Sequence, residues 1–259
     1  MEKREKFIFN VLFVLFLPLI VFAQEKNFPD IDKYFSKKEK ATFDCALEYQ
    51  NVFYNKIFPE VIVDFSEIQI SVIGEFSNIL LQKKSSGYYS SFYRELVIFK
   101  APQYKNTFMR TTFHELSHAL LHLYSGDQFD HIPPWLNEGL ADYLAGMTYS
   151  SKKIIHKKNN YRITRLKTLI ELRDLDLADF ANWNHQKFTK ESFSQEGYGY
   201  AVGYCMVCFL INKEEKDIYS LFRLLIEKDN DKSTTEIFDN HYEGGFLQFQ
   251  RDFFDFYSK

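Results

Sequence analysis

Two histidines one helical turn apart constrain this 259-residue chain more than any other feature of its sequence. They are His114 and His118 of an H-E-x-x-H motif, and the apolar spacing around them predicts one helix from about Thr107 to Tyr124. Because an α-helix turns by about 100° per residue, the two imidazoles lie about 40° apart around the helix and can face one metal ion. The fold therefore has to bring a further donor against this face of the helix.

The third donor does not follow from the motif itself. A catalytic zinc site uses three protein ligands and keeps one position open. In metzincins the third ligand is a histidine six residues after the second motif histidine, but Tyr124 occupies that position here, and Leu121 stands where their glycine would be. His122 lies about 12 Å along the helix from His114, too far to share an ion, so we expect a packed or hydrogen-bonded helix histidine.

Two carboxylates on the following predicted helix are the remaining candidates. That helix begins near Trp135 and runs to about Ala145. Glu138 and Asp142 are four residues apart on it, so both carboxylates face the same way. One of them can bind the metal while the other accepts the N–H of a ligand histidine and so fixes the orientation of its ring.

The chain resembles the gluzincins, which are zinc metallopeptidases of the thermolysin-like superfamily. The resemblance lies in the H-E-x-x-H motif and in the downstream segment Trp135-Leu-Asn-Glu-Gly-Leu-Ala-Asp142. The local sequence is most similar to the peptidase-MA-like and aminopeptidase-type branches. The resemblance implies three zinc ligands, namely His114, His118 and Glu138. It also implies that Glu115 is the general base. Asp142 would orient His114 as its hydrogen-bond partner, and Asn137 would brace the ligand helix. Zinc is then the expected cofactor, and a peptide or protein is the expected substrate.

The same families use a tyrosine downstream of the zinc glutamate to hydrogen-bond the developing oxyanion. The segment Tyr200-Ala-Val-Gly203 resembles their Tyr-x-x-Gly, so Tyr200 is the expected donor and Tyr198 the alternative. Tyr204 lies within an apolar helical run, and we expect it to pack in the core. The sequence has no Gly-x-Met-Glu-Asn stretch, with which aminopeptidase gluzincins hold a free amino group, so amino-terminal trimming is not expected.

The remaining sequence predicts an α+β fold. Apolar spacing predicts a long helix over 37–58 and a further helix over 75–84, and β-rich runs predict strands over 68–73 and within 88–99. With the resemblance, this implies the zincin fold: a small mixed sheet with the active-site helix, followed by a mainly helical lobe. The resemblance also implies an exposed edge strand within 95–100, along which an extended peptide can add.

The start of the chain predicts export. Three basic residues among the first six are followed by an almost continuous apolar run over 7–22, which is short for a membrane helix, so we expect a signal peptide over 1–23. A retained amino-terminal membrane anchor is the alternative. After it we expect a polar linker over 24–34, a sheet-and-helix lobe over 35–126 and a helical lobe over 127–259, with zinc between the lobes.

Composition limits the partners further. The 32 lysines and arginines against 35 acidic residues, with no long block of like charge, give no electrostatic reason to expect nucleic acid. No second long apolar run follows the signal peptide, so we expect no stable membrane span after its removal. Cys205 and Cys208 lie in an apolar run and are expected to be buried helix residues rather than a redox motif. The alternative to a peptidase is a binding protein with the same fold that cleaves nothing.

Overall fold

The computed structural model describes residues 28–74, 86–149, 153–194, 197–213, 218–228 and 232–258. The expected signal peptide over 1–23 and the expected helix over 75–84 lie outside the described residues. The described part is a mixed α+β fold, mostly helical, as the sequence predicts, with a three-stranded mixed sheet and a two-stranded antiparallel sheet.

The helices, numbered along the chain, are α1 (Pro29–Tyr34), α2 (Lys37–Ile57), α3 (Phe108–Ser125), α4 (Pro134–Ala145), α5 (Asn160–Glu171), α6 (Leu177–Ala181), α7 (His185–Ser194), α8 (Tyr198–Asn212), α9 (Ile218–Ile226), α10 (Thr234–His241) and α11 (Gly245–Ser258). The strands are β1 (Gln69–Ile73), β2 (Gly87–Ser90), β3 (Glu95–Phe99), β4 (Met147–Thr148) and β5 (Ile155–His156). Among the helices described, none is long and apolar enough to cross a membrane.

In the three-stranded sheet, β3 lies in the centre, parallel to β1 and antiparallel to β2. The prediction of an exposed edge strand within 95–100 is therefore wrong. Leu96 to Phe99 is a continuous apolar run, and all four of its residues are buried, as expected for a strand covered on both faces. The edge strand beside α3 is β2 instead.

Residues 29–34, predicted to belong to a linker, form helix α1. Pro29 stands at the start of the helix, where its missing N–H costs nothing. The negative charges of Asp30 and Asp32 interact favourably with the positive end of the helix dipole. Ile31 is buried, and the carboxylate of Asp30 accepts the backbone N–H of Val72 on β1 at 3.0 Å. One buried side chain and one hydrogen bond thus tie a polar segment to the sheet.

Helix α2 lies in a core that the two predicted lobes share. It begins with a capping box between Ser36 and Glu39, and its buried face packs against α3 and α9. Phe53 of α2 meets Tyr219 of α9 edge-on at 5.8 Å, and the hydroxyl of Tyr54 lies 2.6 Å from that of Ser117 on α3. Helix α4 in turn packs against both α3 and α8, and these three helices surround the candidate site.

Candidate metal centre

Three donor atoms from α3 and α4 converge at one point. His114 Nε2 lies 3.1 Å from His118 Nε2 and 3.3 Å from Glu138 Oε2. His118 Nε2 lies 3.7 Å from the same glutamate oxygen. The two histidines meet because they are four residues apart on α3, and Glu138 reaches them because α4 packs back against that helix. The structure thus brings together the three residues that the sequence singles out as metal ligands.

This spacing fits a zinc ion. Bonds of about 2.05 Å in a regular tetrahedron place neighbouring donor atoms about 3.3 Å apart, close to the three separations observed. Two imidazoles and one carboxylate are donors that suit zinc, and three protein ligands leave a fourth position for another group. Among the described histidine, cysteine and acidic residues, this is the group whose donor atoms lie close enough together to hold a metal.

The ring orientations of both histidines are fixed by α4. His118 Nδ1 lies 2.7 Å from the side-chain oxygen of Asn137, and His114 Nδ1 lies 3.3 Å from Asp142 Oδ1. With the protons on the two Nδ1 atoms, both Nε2 atoms are left to face the ion. Asp142 therefore stands where the resemblance implies, whereas Asn137 contacts a ligand histidine in addition to lying on the ligand helix.

The charges within the site favour a cation. Burial by itself lowers the pKa of His114, but the Asp142 and Glu138 carboxylates outweigh it and hold that pKa well above its ordinary value. Burial likewise raises the pKa of Glu138, yet the imidazoles of His118 and His114 hold it far below its usual range. The carboxylate thus stays ionised and draws positive charge to the two imidazoles. A metal ion bound in place of those protons would be stabilised by the same negative charges.

Arg162 of α5 joins the site, although no motif in the sequence marks it. Its Nε and one terminal nitrogen each lie 2.9 Å from Asp142 Oδ2, while Asp142 Oδ1 faces His114. The guanidinium also lies 5.2 Å from the ring centroid of Tyr200. Asn159, which caps α5, fixes the start of this helix by accepting the Arg162 backbone N–H. In the sequence, the N-cap residue Asn159 can indicate where α5 begins. It cannot indicate which residue of that helix reaches Asp142.

The two candidate tyrosines lie in different surroundings. Tyr200 lines the open cleft of about 560 Å³ that contains the three donors, and burial together with the charge of Glu138 raises the pKa of its phenol. Tyr198 is buried, with its ring stacked on Trp183 at 5.4 Å. Tyr204 packs in the core, as expected, and its hydroxyl accepts the backbone N–H of Asn159 at 2.8 Å. Of Tyr200 and Tyr198, the structure brings Tyr200 to the cleft.

Glu115 lies beside the three donors, and a residue of the sheet holds its carboxylate by a hydrogen bond. Its Oε2 accepts the backbone N–H of Tyr89, on edge strand β2, at 2.9 Å. Both residues line the cleft. Sequence reasoning missed Tyr89, because a short β-rich run gives no sign of which backbone N–H will face α3.

The cysteines take no part in this centre. Cys205 and Cys208 are buried thiols within α8, in agreement with the prediction, and burial raises the pKa of Cys208 to about 12. A thiol with so high a pKa is a poor nucleophile at neutral pH, which fits a packing role. Cys45 on α2 is also a free thiol.

One family comparison covers the site. Residues 109–230 are similar to a family described as a protein of unknown function, DUF1570. The matched segment includes the residues of the cleft described above on α3, α4, α5 and α8, namely His114, Glu115, His118, Glu138, Asp142, Arg162 and Tyr200. No curated protein matches this chain. The description of the family names no reaction, so the chemistry has to be argued from the residues.

Proposed function

We propose that this chain is an exported zinc metallopeptidase of the gluzincin type, with the zincin fold, that hydrolyses peptide bonds. The observation that carries the proposal is the convergence of His114, His118 and Glu138 at tetrahedral spacing, with Glu115 beside them in an open cleft. Glu115 is the fourth member that distinguishes a hydrolytic site from a metal clamp, because it supplies a base next to the open position.

His114, His118 and Glu138 would hold the ion, with Asp142 and Asn137 keeping the imidazoles in the orientation that binding requires. When bound, zinc polarises a carbonyl group and lowers the pKa of a water molecule toward about 7.

Glu115 acts as the general base. It projects about 100° around α3 from His114, so it does not converge with the three donors and is free to accept a proton from the attacking water. It then delivers this proton to the leaving amine. The Tyr89 N–H holds one of its carboxylate oxygens at 2.9 Å and leaves the other oxygen for the water.

Tyr200 donates a hydrogen bond to the oxyanion that forms on the scissile carbonyl. Because burial and the nearby Glu138 raise the pKa of its phenol, Tyr200 keeps its proton at neutral pH and can act as a donor. Arg162 lies against the Tyr200 ring and binds Asp142, so it holds the oxyanion donor and the partner of His114 in one arrangement.

The substrate backbone would add to strand β2. This strand pairs with β3 along one edge, and its other edge faces the cleft beside α3. An extended peptide would lie along this edge beside the cleft and use backbone hydrogen bonds other than that of the Tyr89 N–H, which Glu115 accepts. The resemblance implied this substrate-binding role for a strand within residues 95–100. We assign it to β2 instead, because β2 is the edge strand beside α3.

The proposal is tested with the chain lacking residues 1–23. We expect about one zinc per chain by metal analysis, and cleavage of a broad peptide library that stops on adding a chelator and returns with zinc. Glu115→Gln is the matched control: it should keep the zinc and lose hydrolysis by about 10²–10⁴-fold. A zinc-loaded protein that cleaves nothing would point instead to a binding protein, and full activity of Glu115→Gln would remove this mechanism.

A further inference from the structure

A third histidine on α3 lies outside the set of metal donors. His122 is one turn beyond His118, and its Nδ1 lies 2.8 Å from the hydroxyl of Tyr89. Its ring stacks on Phe129 at 4.5 Å, and Tyr89 meets Phe129 edge-on at 6.1 Å. His122 is thus a packed and hydrogen-bonded helix histidine, as the sequence predicts, but its partner is the residue that also contacts the proposed base.

Tyr89 connects His122 with Glu115. Its hydroxyl is hydrogen-bonded to His122 Nδ1, and its backbone N–H donates a hydrogen bond to Glu115 Oε2 at 2.9 Å. Glu115 and His122 are seven residues apart, so they lie about 20° apart around α3 and face β2 together. One residue of the strand is therefore held at two points, two turns apart on the same helix.

Strand β2 needs such side-chain contacts because of its place in the sheet. It has four residues, and among the described strands it pairs with β3 alone. Its other edge faces the cleft, where no strand of the described residues fixes its distance from α3. A further contact joins the hydroxyls of Ser86 and Thr111 at 2.5 Å, near the start of the strand. The Tyr89 contacts fix the part of the strand next to the proposed base.

We propose that His122 is a positioning residue for hydrolysis: its hydrogen bond to Tyr89 holds β2 at the distance from α3 at which the Tyr89 N–H orients Glu115. This inference rests on the proposed function. His122 acts through Tyr89 and touches neither the metal donors nor the reacting atoms. Displacements of about 1 Å in a catalytic group can cost on the order of 100-fold in rate, so a strand that drifts from α3 would slow the proton transfer.

The protonation states agree with this contact. Burial, aided by the charge of Arg94, lowers the pKa of His122, so its imidazole is neutral at neutral pH. Burial raises the pKa of Tyr89 to about 12, so its phenol keeps the proton. A neutral imidazole and an intact phenol form a hydrogen bond in which Tyr89 donates to Nδ1.

The experiment is a double-mutant cycle in the zinc-loaded chain lacking residues 1–23. His122→Phe keeps a ring to stack on Phe129 and removes the hydrogen bond, and Tyr89→Phe removes the same bond from the other side. We expect each change to lower kcat by roughly 10- to 100-fold, with KM and zinc content unchanged. The double variant should lose no more than either single variant, because both remove one contact.

Two further variants complete the test. His122→Asn places a side-chain amide near the position of Nδ1 and should recover most of kcat. Tyr93→Phe changes an exposed tyrosine of the β2–β3 turn and should leave kcat unchanged. A wild-type chain without chelator-sensitive hydrolysis would overturn the proposed function and this inference with it. An active wild type whose His122→Phe and Tyr89→Phe variants keep full kcat, or lose it additively, would overturn the inference alone.

Discussion

Gly139 on α4 lies against Gly203 on α8 so closely that a Cβ added to Gly139 would stand 2.5 Å from the Gly203 carbonyl oxygen. A Cβ on Gly203 would in turn stand 2.7 Å from the carbonyl oxygen of Trp135. Neither position accepts a side chain unless the helices move apart. Gly139 follows Glu138, and Gly203 lies one turn after Tyr200. The contact therefore sets the distance between the helix of the third donor and the helix of the proposed oxyanion donor.

Gly203→Ala should destabilise the protein for this reason. Forcing a methyl group into a packed helix contact costs about 1–3 kcal/mol, and the opposing group here is rigid backbone. Urea unfolding followed by circular dichroism measures the change. Gly74→Ala is the matched control, because a Cβ there meets no atom of the described residues within 4 Å and should alter the free energy of unfolding by less than about 0.5 kcal/mol. Equal stability of the two variants would contradict the close contact.

Asp142→Asn should weaken zinc binding without abolishing it. The amide keeps the shape of the side chain but removes the charge that holds His114 Nδ1–H and the Arg162 guanidinium. Loss of such an indirect partner typically costs about 10- to 100-fold in metal affinity. Competition with a chromophoric chelator measures the dissociation constant. Glu138→Gln, which removes a donor itself, should weaken binding more, and the reverse order would contradict the assignment of the two carboxylates.

Tyr200→Phe should separate the two candidate tyrosines. Removing one oxyanion donor typically costs about 10²–10³-fold in kcat, while zinc content should stay the same. Tyr198→Phe retains the ring that stacks on Trp183 and should leave kcat within a few-fold of wild type. Steady-state kinetics on one library-derived peptide decides between them. A large loss of kcat in Tyr198→Phe alone would mean that the wrong tyrosine has been placed in the mechanism.

His156 should make folding stability depend on pH. Burial is the main cause that lowers its pKa to about 4, against about 6.5 in the unfolded chain. Between these values the unfolded chain binds a proton that the folded chain does not, so this contribution is complete above pH 6.5 and is lost as the pH falls toward 4. The expected loss between pH 7 and pH 5 is about 2 kcal/mol.

The measurement for His156 is a difference between two proteins, because other histidines also titrate. Urea unfolding of wild type and His156→Gln at pH 7 and pH 5 isolates the contribution of this residue. The variant should lose less stability than wild type over this interval. Parallel pH profiles of the two proteins would show that His156 is protonated as easily in the folded chain as in the unfolded one.

The convergence of the candidate metal donors was largely predictable because it depends on short-range geometry. The four-residue spacing of His114 and His118 puts both rings on one side of a helix, and the same spacing places Glu138 and Asp142 together on the next helix. What remained was to pack two consecutive helices against each other, which their apolar faces make the default arrangement. The structure brings these four side chains together, with Glu138 near the two Nε2 atoms and Asp142 near His114 Nδ1; spacing left that choice open, and the resemblance implied it.

The contacts made over longer distances were not predictable from one sequence. Arg162 reaches Asp142 from a separate helix, and Tyr89 reaches Glu115 from a strand, and neither contact leaves a spacing signal. The order of strands in the sheet was likewise undetermined, because an apolar run predicts a buried strand but not its neighbours. Helix α1 was missed because its composition is polar and one isoleucine, Ile31, supplies its buried contact.

The three candidate ligands and the residues that contact their imidazoles come from α3 and α4, within residues 114–142, whereas Tyr89, Arg162 and Tyr200 come from three other elements. If the proposed function holds, the base Glu115 shares α3 with two of the ion's ligands, whereas the other groups proposed to act on the substrate come from separate parts of the chain. A descendant of this gene can lose turnover of a substrate through changes in the strand or the later helices and still keep capture of the ion. Under the proposed function, a variant that keeps its zinc has for that reason not been shown to keep its hydrolysis.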